Sequence, residues 1–293
     1  ANLVTLRVWG DFACFTRPEM KVERVSYPVL TPSAARGILE AVFWEPQMYY
    51  LIDSIRVVKR GRWISIRRNE VTKVISLDSA KTWMTSPEKT TPIQAGGGAA
   101  DGTQRNMLAL QDVEYLITAE VRLTPLAQPP RDNLGKYLRE IEGRARAGKC
   151  FHRPGLGMRE FAANFDWVAD PDDALAQRLK ELREEAVRDS LPEPQPINEP
   201  LGLMLYDLFD HRARAAGFRW LTPEEEARQA TDFEQTVTDL KKGEQTELRK
   251  VYAAKHLRSK SEFIKPQPLF FQATLKNSRL DCHPDRVFAQ GGN

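Results

Sequence analysis

Cysteine is scarce in this sequence and long apolar runs are absent, and both features narrow the class of protein. The three cysteines, Cys14, Cys150 and Cys282, lie far apart and form neither a CxxC pair nor a cysteine–histidine spacing typical of zinc. We therefore expect no disulfide framework and a reducing cytoplasm as the location. No stretch approaches the roughly 20 apolar residues that span a bilayer, and the first residues do not resemble a signal peptide. We expect no membrane contact.

Motifs typical of small-molecule enzymes are also missing. No nucleotide-binding glycine motif follows a predicted strand, and no nucleophile elbow occurs. His211 and His283 stand at no spacing from an acid or a cysteine that indicates a metal site. We therefore expect neither a cofactor nor a metal, and a small-molecule enzyme is the least favoured function.

Charge is unevenly distributed, although the formal net charge is only +3. Basic side chains clearly outnumber acidic ones between positions 56 and 105, whereas acidic side chains dominate between 222 and 247. Segregation of this kind indicates a face that binds a polyanion. A charge run is also typical of a merely solvated surface, so both interpretations remain open.

The order of predicted elements indicates an α+β fold, and 293 residues suffice for one large domain or two modest ones. Alternating apolar residues predict four strands, at 3–9, 49–59, 113–123 and 160–168. Thr31 and Pro32 begin a helix that ends before Pro46. A second helix is predicted at 131–148. The order β-α-β-β-α-β is the ferredoxin-like pattern shared by RNA-recognition-motif domains.

An insertion at residues 60–107 interrupts this order. It contains two predicted ribbon strands, 63–67 and 71–75, on either side of a turn at 68–70. An isolated two-stranded ribbon is only marginally stable, so this arm is expected to fold fully against a partner.

A proline-rich segment at 191–200 is predicted to be a semi-rigid linker. It divides a domain at 1–190 from a smaller C-terminal β-rich region at 201–293. That region is expected to hold an acidic helix after Thr222 and a basic arm at 249–265.

The stretch 131–161 has the pattern of a helix followed by an anion-binding loop. Asp132 or Asn133 can cap the helix, whose apolar stripe leaves basic side chains on the other faces. The loop combines glycines with three basic side chains, His152, Arg153 and Arg159. Glycine lets a backbone approach a partner closely, and guanidinium groups donate paired hydrogen bonds to phosphate. The alternative is a solvated amphipathic helix followed by an ordinary turn.

Several strings occur in a particular order: WGDFACFTRPEMKVERVSYPVLTPSAARGILEAVFWEP near the start, then PIQAGGG, then GKY followed by GLGMREF, and finally LGLMLYD. Their order and spacing resemble the Cas-five family of CRISPR-associated proteins, in particular the CasD-like branch of subtype I-C Cascade. The resemblance covers much of residues 1–60 and 92–166. It implies an RNA-recognition-motif-like domain, a thumb at 60–107 and a small C-terminal β-region.

The resemblance also implies a function. Family members hold the 5′ handle of CRISPR RNA, and this branch also cuts the repeat of the precursor transcript without metal. The implied partners are the CRISPR RNA, the Cascade backbone subunits and the large subunit, with target DNA met only through the complex. The leading hypothesis is a metal-independent endoribonuclease that stays on its product. The second is a non-catalytic structural cap of an already processed 5′ handle.

The family's cleavage residues are only partly present. Its tyrosine on the first helix falls at Phe43, and its lysine–histidine pair falls at Lys136 and Tyr137. Lys136 can supply a cation for the phosphorane, whereas a tyrosine is only roughly 0.1% ionised at pH 7 and is a poor base unless a cation lowers its pKa. His152 is the best replacement by residue type, because histidine changes charge near neutral pH.

The predicted site therefore has a catalytic part and a phosphate-binding part. The catalytic candidates are Lys136, Tyr137 and His152, with Tyr49 and Tyr50 as weaker alternatives. The predicted RNA-binding residues are Lys59, Arg60, Arg62, Arg67, Arg105, Arg153 and Arg159. Each residue also has an ordinary interpretation, as a solvated cation, a packed aromatic or a loop histidine. Further candidates are Trp63 and Trp83, which can stack on bases or pack in the ribbon, and Lys255 with His256, expected to be solvated.

Overall fold

The computed structural model describes residues 2–96, 98–215, 223–238, 240–247, 249 and 268–288. The strands are β1 (Leu3–Ala13), β2 (Arg24–Val25), β3 (Met48–Lys59), β4 (Arg62–Val71), β5 (Gly102–Leu123), β6 (Asn164–Val168), β7 (Glu199–Asp207), β8 (Leu269–Lys276) and β9 (Arg279–Asp281). The helices are α1 (Pro32–Val42), α2 (Leu77–Thr85), α3 (Leu134–Arg146), α4 (Pro171–Arg188), α5 (His211–Ala215), α6 (Pro223–Thr238) and α7 (Pro284–Val287), and a 3₁₀ turn lies at Pro87–Lys89.

Four strands and two helices form a ferredoxin-like core. The strands lie in the order β6-β1-β5-β3, and each neighbouring pair is antiparallel. Helices α1 and α3 pack on one face of these strands, around buried side chains that include Leu6, Ile38, Ile117 and Ile141. In chain order the elements run β1, α1, β3, β5, α3, β6, so the predicted β-α-β-β-α-β pattern is confirmed.

Side-chain caps explain where the two core helices begin. The Thr31 hydroxyl accepts a hydrogen bond from the Ala34 N–H at 3.3 Å. The Asn133 side chain accepts one from the Lys136 N–H at 2.9 Å, so Asn133 and not Asp132 is the N-cap of α3. The Asp132 carboxylate instead accepts hydrogen bonds from the Tyr137 hydroxyl and the Lys136 ammonium.

The insertion forms a long hairpin whose pairing differs from the predicted ribbon. β4 pairs along its whole length with residues 102–111 of β5. The predicted turn at 68–70 therefore lies inside β4, and residues 71–75 are not its partner strand. The register follows from packing, because the apolar side chains that alternate along both strands meet on one face, at Ile64, Ile66, Met107 and Ala109. α2 and the 3₁₀ turn connect the two strands.

The C-terminal strands continue the same sheet. β7 pairs with β8, β8 with β9, and β9 with the edge of β3, which gives the order β6-β1-β5-β3-β9-β8-β7. The predicted linker at 191–200 ends inside β7, which begins at Glu199. The predicted division between 1–190 and 201–293 thus separates strands that are hydrogen-bonded into one sheet.

Part of the C-terminal region lies outside the described residues. This applies to Thr222, to most of the predicted basic arm at 249–265, and to Lys255 and His256. The predicted acidic helix corresponds to α6. Every helix in the described ranges is too short or too polar to span a lipid bilayer.

The sheet face opposite α1 and α3 is partly covered by α4. Apolar side chains of α4 pack on three strands, at Val58, Leu116 and Val168. Arg178 of α4 donates to the buried Glu114 carboxylate at 3.1 Å, and Arg7 donates to the same carboxylate at 2.7 Å. RNA-recognition-motif domains stack bases on their sheet, and here α4 occupies part of that surface. This sheet surface is therefore not fully open to bases.

A buried ion-pair network joins α1 to the end of β7. Arg36 contacts Asp207 through two hydrogen bonds, of 2.7 and 2.9 Å, and Glu40 at 2.6 Å, while Arg214 contacts Glu40 from α5. Arg36 and Asp207 are only 12% and 9% exposed. Removing one partner leaves the other charge buried and uncompensated.

We expect the Asp207→Ala substitution to lower the free energy of unfolding by about 3–5 kcal/mol. The control is Glu142→Ala, which removes an exposed pair with Arg146 and should cost under about 1 kcal/mol. Urea unfolding measures both. Equal losses in the two variants would show that the network does not hold α1 against the C-terminal strands.

Candidate nucleic-acid interface

A cleft of about 830 Å³ opens between α1 and the loop that follows α3. The loop contributes three of the predicted site residues, His152, Arg153 and Arg159. One face of α1 forms the other wall, with Ser33, Gly37 and Ala41 at successive helical turns. The structure therefore brings an imidazole and two guanidinium groups to one concave surface.

The glycines of this loop pack against the chain itself. A Cβ on Gly157, whose φ is +83°, would lie 2.2 Å from the carbonyl oxygen of Cys14, directly after β1. A Cβ on Gly155 would lie 2.5 Å from the Met158 carbonyl oxygen. The Cys14 N–H also donates to the carbonyl of the buried Leu156 at 3.0 Å. These glycines therefore allow close packing within the protein itself. An anion in the cleft would be contacted by the side chains of the loop.

Arg153 and Arg159 carry charges without an acidic partner. Both side chains are exposed, and no Asp or Glu oxygen of the described residues lies within 4.0 Å of either guanidinium group. An unpaired guanidinium keeps its donors for bidentate contacts with phosphate. The backbone N–H of His152 donates to the Ala41 carbonyl at 3.0 Å, which fixes the loop on α1.

Gly37 leaves the helix side of the cleft open. Glycine in a helix interior costs about 0.5–1 kcal/mol relative to alanine. A Cβ at this position would nevertheless meet no atom within 4 Å. The free space therefore belongs to the cleft, and a ligand can approach the backbone of α1 there.

Lys136 lies in the first turn of α3, between two carboxylates. Its Nζ is 3.3 Å from Asp132 Oδ1 and 3.9 Å from Glu45 Oε2, and 32% of its side chain is exposed. Lys136 does not line the cleft described above. Lys136 contacts Glu45, and His152 contacts Ala41. Because Ala41 and Glu45 are four residues apart in the chain, the Cα atoms of these two residues are at most about 14 Å apart. Lys136 and His152 are therefore anchored at the same end of α1.

Tyr137 is a core residue. It is fully buried, and its hydroxyl donates to Asp132 Oδ1 at 2.9 Å. Burial raises the pKa of Tyr137, and the Asp132 carboxylate raises it further. The Lys136 ammonium lies over the Tyr137 ring, 4.8 Å from its centroid. Phe43 is also buried, with its ring 6.3 Å from that of Tyr137. This geometry does not support Tyr137 as a base, and it makes Tyr137 a support for Asp132.

We expect Tyr137→Phe to lower the free energy of unfolding by about 1–3 kcal/mol, because a buried acceptor loses a donor. Cleavage of RNA should change less than about tenfold, since removing a group that transfers a proton costs about 10²-fold or more. Urea unfolding and single-turnover cleavage measure the two effects. A fall in rate of 10²-fold without loss of stability would restore Tyr137 as a catalytic residue.

Two of the predicted RNA-binding residues already have acidic partners. Lys59 Nζ lies 3.2 Å from both oxygens of Asp112, and Arg60 lies 2.6 Å from Glu199. Phosphate must compete with these carboxylates. We therefore rank Lys59 and Arg60 below the unpaired arginines.

The hairpin places Arg67 and Arg105 on opposite faces. Arg68 lies directly opposite Arg105, and successive residues of a strand point to opposite sides, so Arg67 faces away. Arg62 is an even number of residues from Arg68 and lies on the Arg105 face. The exposed Trp63 belongs to the Arg67 face, and Trp83 of α2 is half-buried.

Sequence reasoning missed two arginines beside the loop. The sequence predicts Arg68 in a turn, but it lies on the hairpin face that packs against Met158. Arg24 of β2 lies opposite Met107, and its guanidinium is 3.5 Å from Met158 Sδ. Arg24 and Arg105 form a cationic strip next to the cleft, whereas the Arg68 guanidinium is paired with the Glu70 carboxylate. Of the two missed arginines, only Arg68 had a signal in the sequence, the alternation of charged side chains along β4. That signal can be interpreted only when the β4–β5 register is known.

The remaining candidates have structural partners. Tyr49 and Tyr50 are buried, and the Tyr50 hydroxyl donates to the Phe43 carbonyl at 2.9 Å. The ring of His211 stacks on that of Phe288, and His283 Nε2 lies 3.1 Å from Glu120 Oε2. Within the part of the chain that the structure describes, no three His, Cys, Asp or Glu side chains form a group that could hold a metal ion.

Comparison with known proteins finds relatives of one kind. The Cas5d family model, described as CRISPR-associated protein (Cas_Cas5), matches residues 3–246. A protein of Mannheimia succiniciproducens, named CRISPR pre-crRNA endoribonuclease Cas5d, is 40% identical over 215 residues, which are 72% of this chain and 87% of the relative. A protein of the same name from Thermus thermophilus is 44% identical over 160 residues, 55% of this chain and 62% of the relative.

Solved structures give weaker likenesses. A CRISPR-associated protein aligns with a TM-score of 0.48 and 16% identity, over 96% of this chain and 91% of that one. Protein SMU1763c of Streptococcus mutans aligns with a TM-score of 0.49 and 15% identity, over 98% and 95%. The assignment of the family rests on the sequence matches, which span most of the ferredoxin-like core, the hairpin and the loop. The chain belongs to the Cas5d family of CRISPR-associated proteins.

Proposed function

We propose that this chain is a metal-independent endoribonuclease that cuts CRISPR precursor RNA within the repeat. It then stays on the 5′ handle as a subunit of type I-C Cascade. The observation that carries the proposal is the cleft in which His152, Arg153 and Arg159 converge, with both guanidinium groups unpaired among the described residues. The names of the two relatives, both pre-crRNA endoribonucleases, support it.

The reaction needs only proton transfer and charge stabilisation. A base removes the proton of a 2′-hydroxyl, whose oxygen attacks the adjacent phosphorus. The 5′-oxygen of the next nucleotide leaves with a proton, and a 2′,3′-cyclic phosphate remains. Proton transfer of this kind contributes about 10²- to 10⁴-fold, and a cation beside the crowded phosphorane contributes a comparable factor.

His152 is assigned the proton transfer. The His152 backbone is hydrogen-bonded to the Ala41 carbonyl, which fixes the position from which the imidazole extends. The ring is exposed at the wall of the cleft, where RNA can reach it. Arg153 and Arg159 bind the flanking phosphates. Arg24 and Arg105 extend this cationic surface along the hairpin.

Lys136 is assigned the stabilisation of the phosphorane. Asp132 and Glu45 hold its ammonium, and Tyr137 holds Asp132. Tyr137 is thus a positioning residue. The pKa of Asp132 is lowered by the Gln128 backbone N–H and then by the Tyr137 hydroxyl, which keeps this carboxylate ionised beside Lys136.

The partners follow from the family and from charge. The proposed ligands are the CRISPR RNA repeat and its 5′ handle, and the proposed neighbours are the backbone and large subunits of Cascade, with target DNA met through the complex. The opposite face of the hairpin, with Trp63 and Arg67, is available for a neighbouring subunit. Such a subunit would supply the partner expected for this arm.

A structural cap of the 5′ handle is the second candidate. Phe43 has no hydroxyl and the Tyr137 hydroxyl is buried, so two positions of the family's cleavage site offer no reactive group to RNA. The two functions differ in one assay. Excess protein is mixed with an end-labelled repeat RNA in EDTA, and the products are separated on a denaturing gel.

We expect one specific cut that leaves a 2′,3′-cyclic phosphate, and no cut in the same repeat with 2′-deoxy substitution at that nucleotide. Tight binding without a cut would contradict the nuclease and leave the cap. Cleavage that depends on a divalent cation would contradict the proposed chemistry.

A further inference from the structure

A second cleft, of about 350 Å³, lies on the outer face of α3 and has no role in the site described above. Its lining consists of Arg139, Glu140, Gly143, Arg144 and Lys149. No Asp or Glu oxygen of the described ranges lies within 4.0 Å of any of the three cations. The cleft thus carries three positive charges and a single negative one.

Arg144 is held in place by its surroundings. Its guanidinium carbon lies 5.4 Å from the centre of the Phe43 ring, and its buried Nε has no hydrogen-bond partner within the described residues. Stacking on an aromatic face fixes the plane of a guanidinium group before any ligand arrives. A cation near the end of α3 also complements the helix dipole, but that effect does not extend to Arg139 in the first half of the helix.

Gly143 keeps the floor of this cleft free of a side chain. It lies in the interior of α3, where glycine is unfavourable relative to alanine. A Cβ there would meet no atom within 4 Å, so packing does not require glycine. The cleft on α1 has the same feature at Gly37. In both places a helix backbone is left open beneath unpaired cations.

The two clefts are neighbours along one short loop. Lys149 lines the α3 cleft and Arg153 lines the α1 cleft, and their Cα atoms are at most about 14 Å apart. Phe151 lies between them, 75% exposed, with its ring 4.8 Å from that of His152. Lys136 lies one turn before Arg139 and Glu140 on the same side of α3. His152 therefore borders the path from one cleft to the other, and Lys136 lies one helical turn from the first residues of the α3 cleft.

We propose that the α3 cleft is a second RNA subsite, in which Arg139, Arg144 and Lys149 bind phosphates on the other side of the scissile bond from Arg153 and Arg159, while Phe151 stacks on a base between them. This inference rests on the proposed function. Its ligand is the phosphate backbone of the repeat RNA. A guanidinium held over an aromatic ring, two exposed cations and an exposed aromatic ring are groups suited to binding an RNA strand.

The test measures binding of a repeat RNA in which fluorine replaces every 2′-hydroxyl, so that the strand cannot be cut. Fluorescence anisotropy gives Kd at several salt concentrations. The test variant carries Arg139→Ala and Lys149→Ala. The matched control carries Arg146→Ala and Arg183→Ala, which remove two charges from α3 and α4 outside both clefts.

We expect the test variant to raise Kd on the order of tenfold or more. The slope of log Kd against log salt should fall by about two. The control should change both values little. Equal behaviour of the two variants would overturn the subsite. A test variant that binds RNA normally but no longer assembles into Cascade would also overturn it, because the cleft would then contact a protein subunit.

Two single substitutions separate RNA contact from a structural role. Phe151→Ala should raise Kd roughly 5- to 100-fold without changing the salt slope, and Phe151→Trp should retain binding. Gly143→Gln should raise the urea midpoint, because helix propensity improves, and yet weaken binding. Parallel improvement of stability and binding in Gly143→Gln would contradict the proposal.

The uncuttable RNA keeps this test independent of catalysis. If native repeat RNA is not cut while the binding signatures appear, the nuclease fails and the subsite stands. The subsite fails and the nuclease stands if cleavage of native RNA by the test variant reaches half its maximal rate at the same protein concentration as cleavage by the wild type.

Discussion

Replacing Lys136 with alanine should slow single-turnover cleavage of the repeat by about 10²- to 10³-fold. The ammonium at the start of α3 is the cation assigned to the phosphorane, and its charge matters more in the transition state than in the bound substrate. Binding of RNA should therefore change far less than the rate. The substitution should be tolerated by the fold, because Asp132 keeps the Gln128 N–H and the Tyr137 hydroxyl as donors.

Lys136→Arg and Lys180→Ala complete the experiment. An arginine retains the charge and should recover part of the rate, although its planar group differs in shape. Lys180 is an exposed lysine of α4, and its removal should leave the rate unchanged. If Lys136→Ala cuts as fast as the wild type, the assignment of the site is wrong even where the activity is present.

Replacing His152 with alanine should slow cleavage by about 10²- to 10⁴-fold, the contribution of general acid–base catalysis. His152→Gln should be slowed by a comparable factor, because glutamine keeps a polar side chain of similar reach but cannot accept the proton of the 2′-hydroxyl.

Chemical rescue distinguishes a lost base from a distorted loop. His152 is exposed at the wall of the cleft, so free imidazole can reach the space left in His152→Ala. We expect added imidazole to restore part of the rate. A His152→Gln variant that cuts as fast as the wild type would assign the proton transfer to another group.

The ferredoxin-like core was predictable because its signals are local. Strand alternation, the Thr31 cap and the apolar stripe of α3 each depend on residues close in sequence. The order of these elements then leaves few arrangements. The hairpin pairing was not predictable in this way, because the partner of β4 begins some 30 residues later, after α2. Its register depends on packing against Met158, which lies outside the insertion.

The site was predictable in part, for a related reason. Adjacent charged residues such as His152 and Arg153 share a loop whatever the fold, so their grouping needs no tertiary information. Gly37 and Gly143 gave no usable signal, because a glycine in a helix is informative only when the space above it is known. The pairing of Lys59 and Arg60 with acids from β5 and β7 also needed the folded chain.

The sequence by itself determined the fold class, the family and the basic loop, since these follow from periodicity, caps and the order of short strings. The tertiary structure alone decided which charges are available to RNA. It buried the Tyr137 hydroxyl on Asp132, turned Arg67 away from Arg105, and opened one cleft on α1 and another on α3. The physical reason is that burial, pairing and exposure depend on contacts between segments that are distant in the chain.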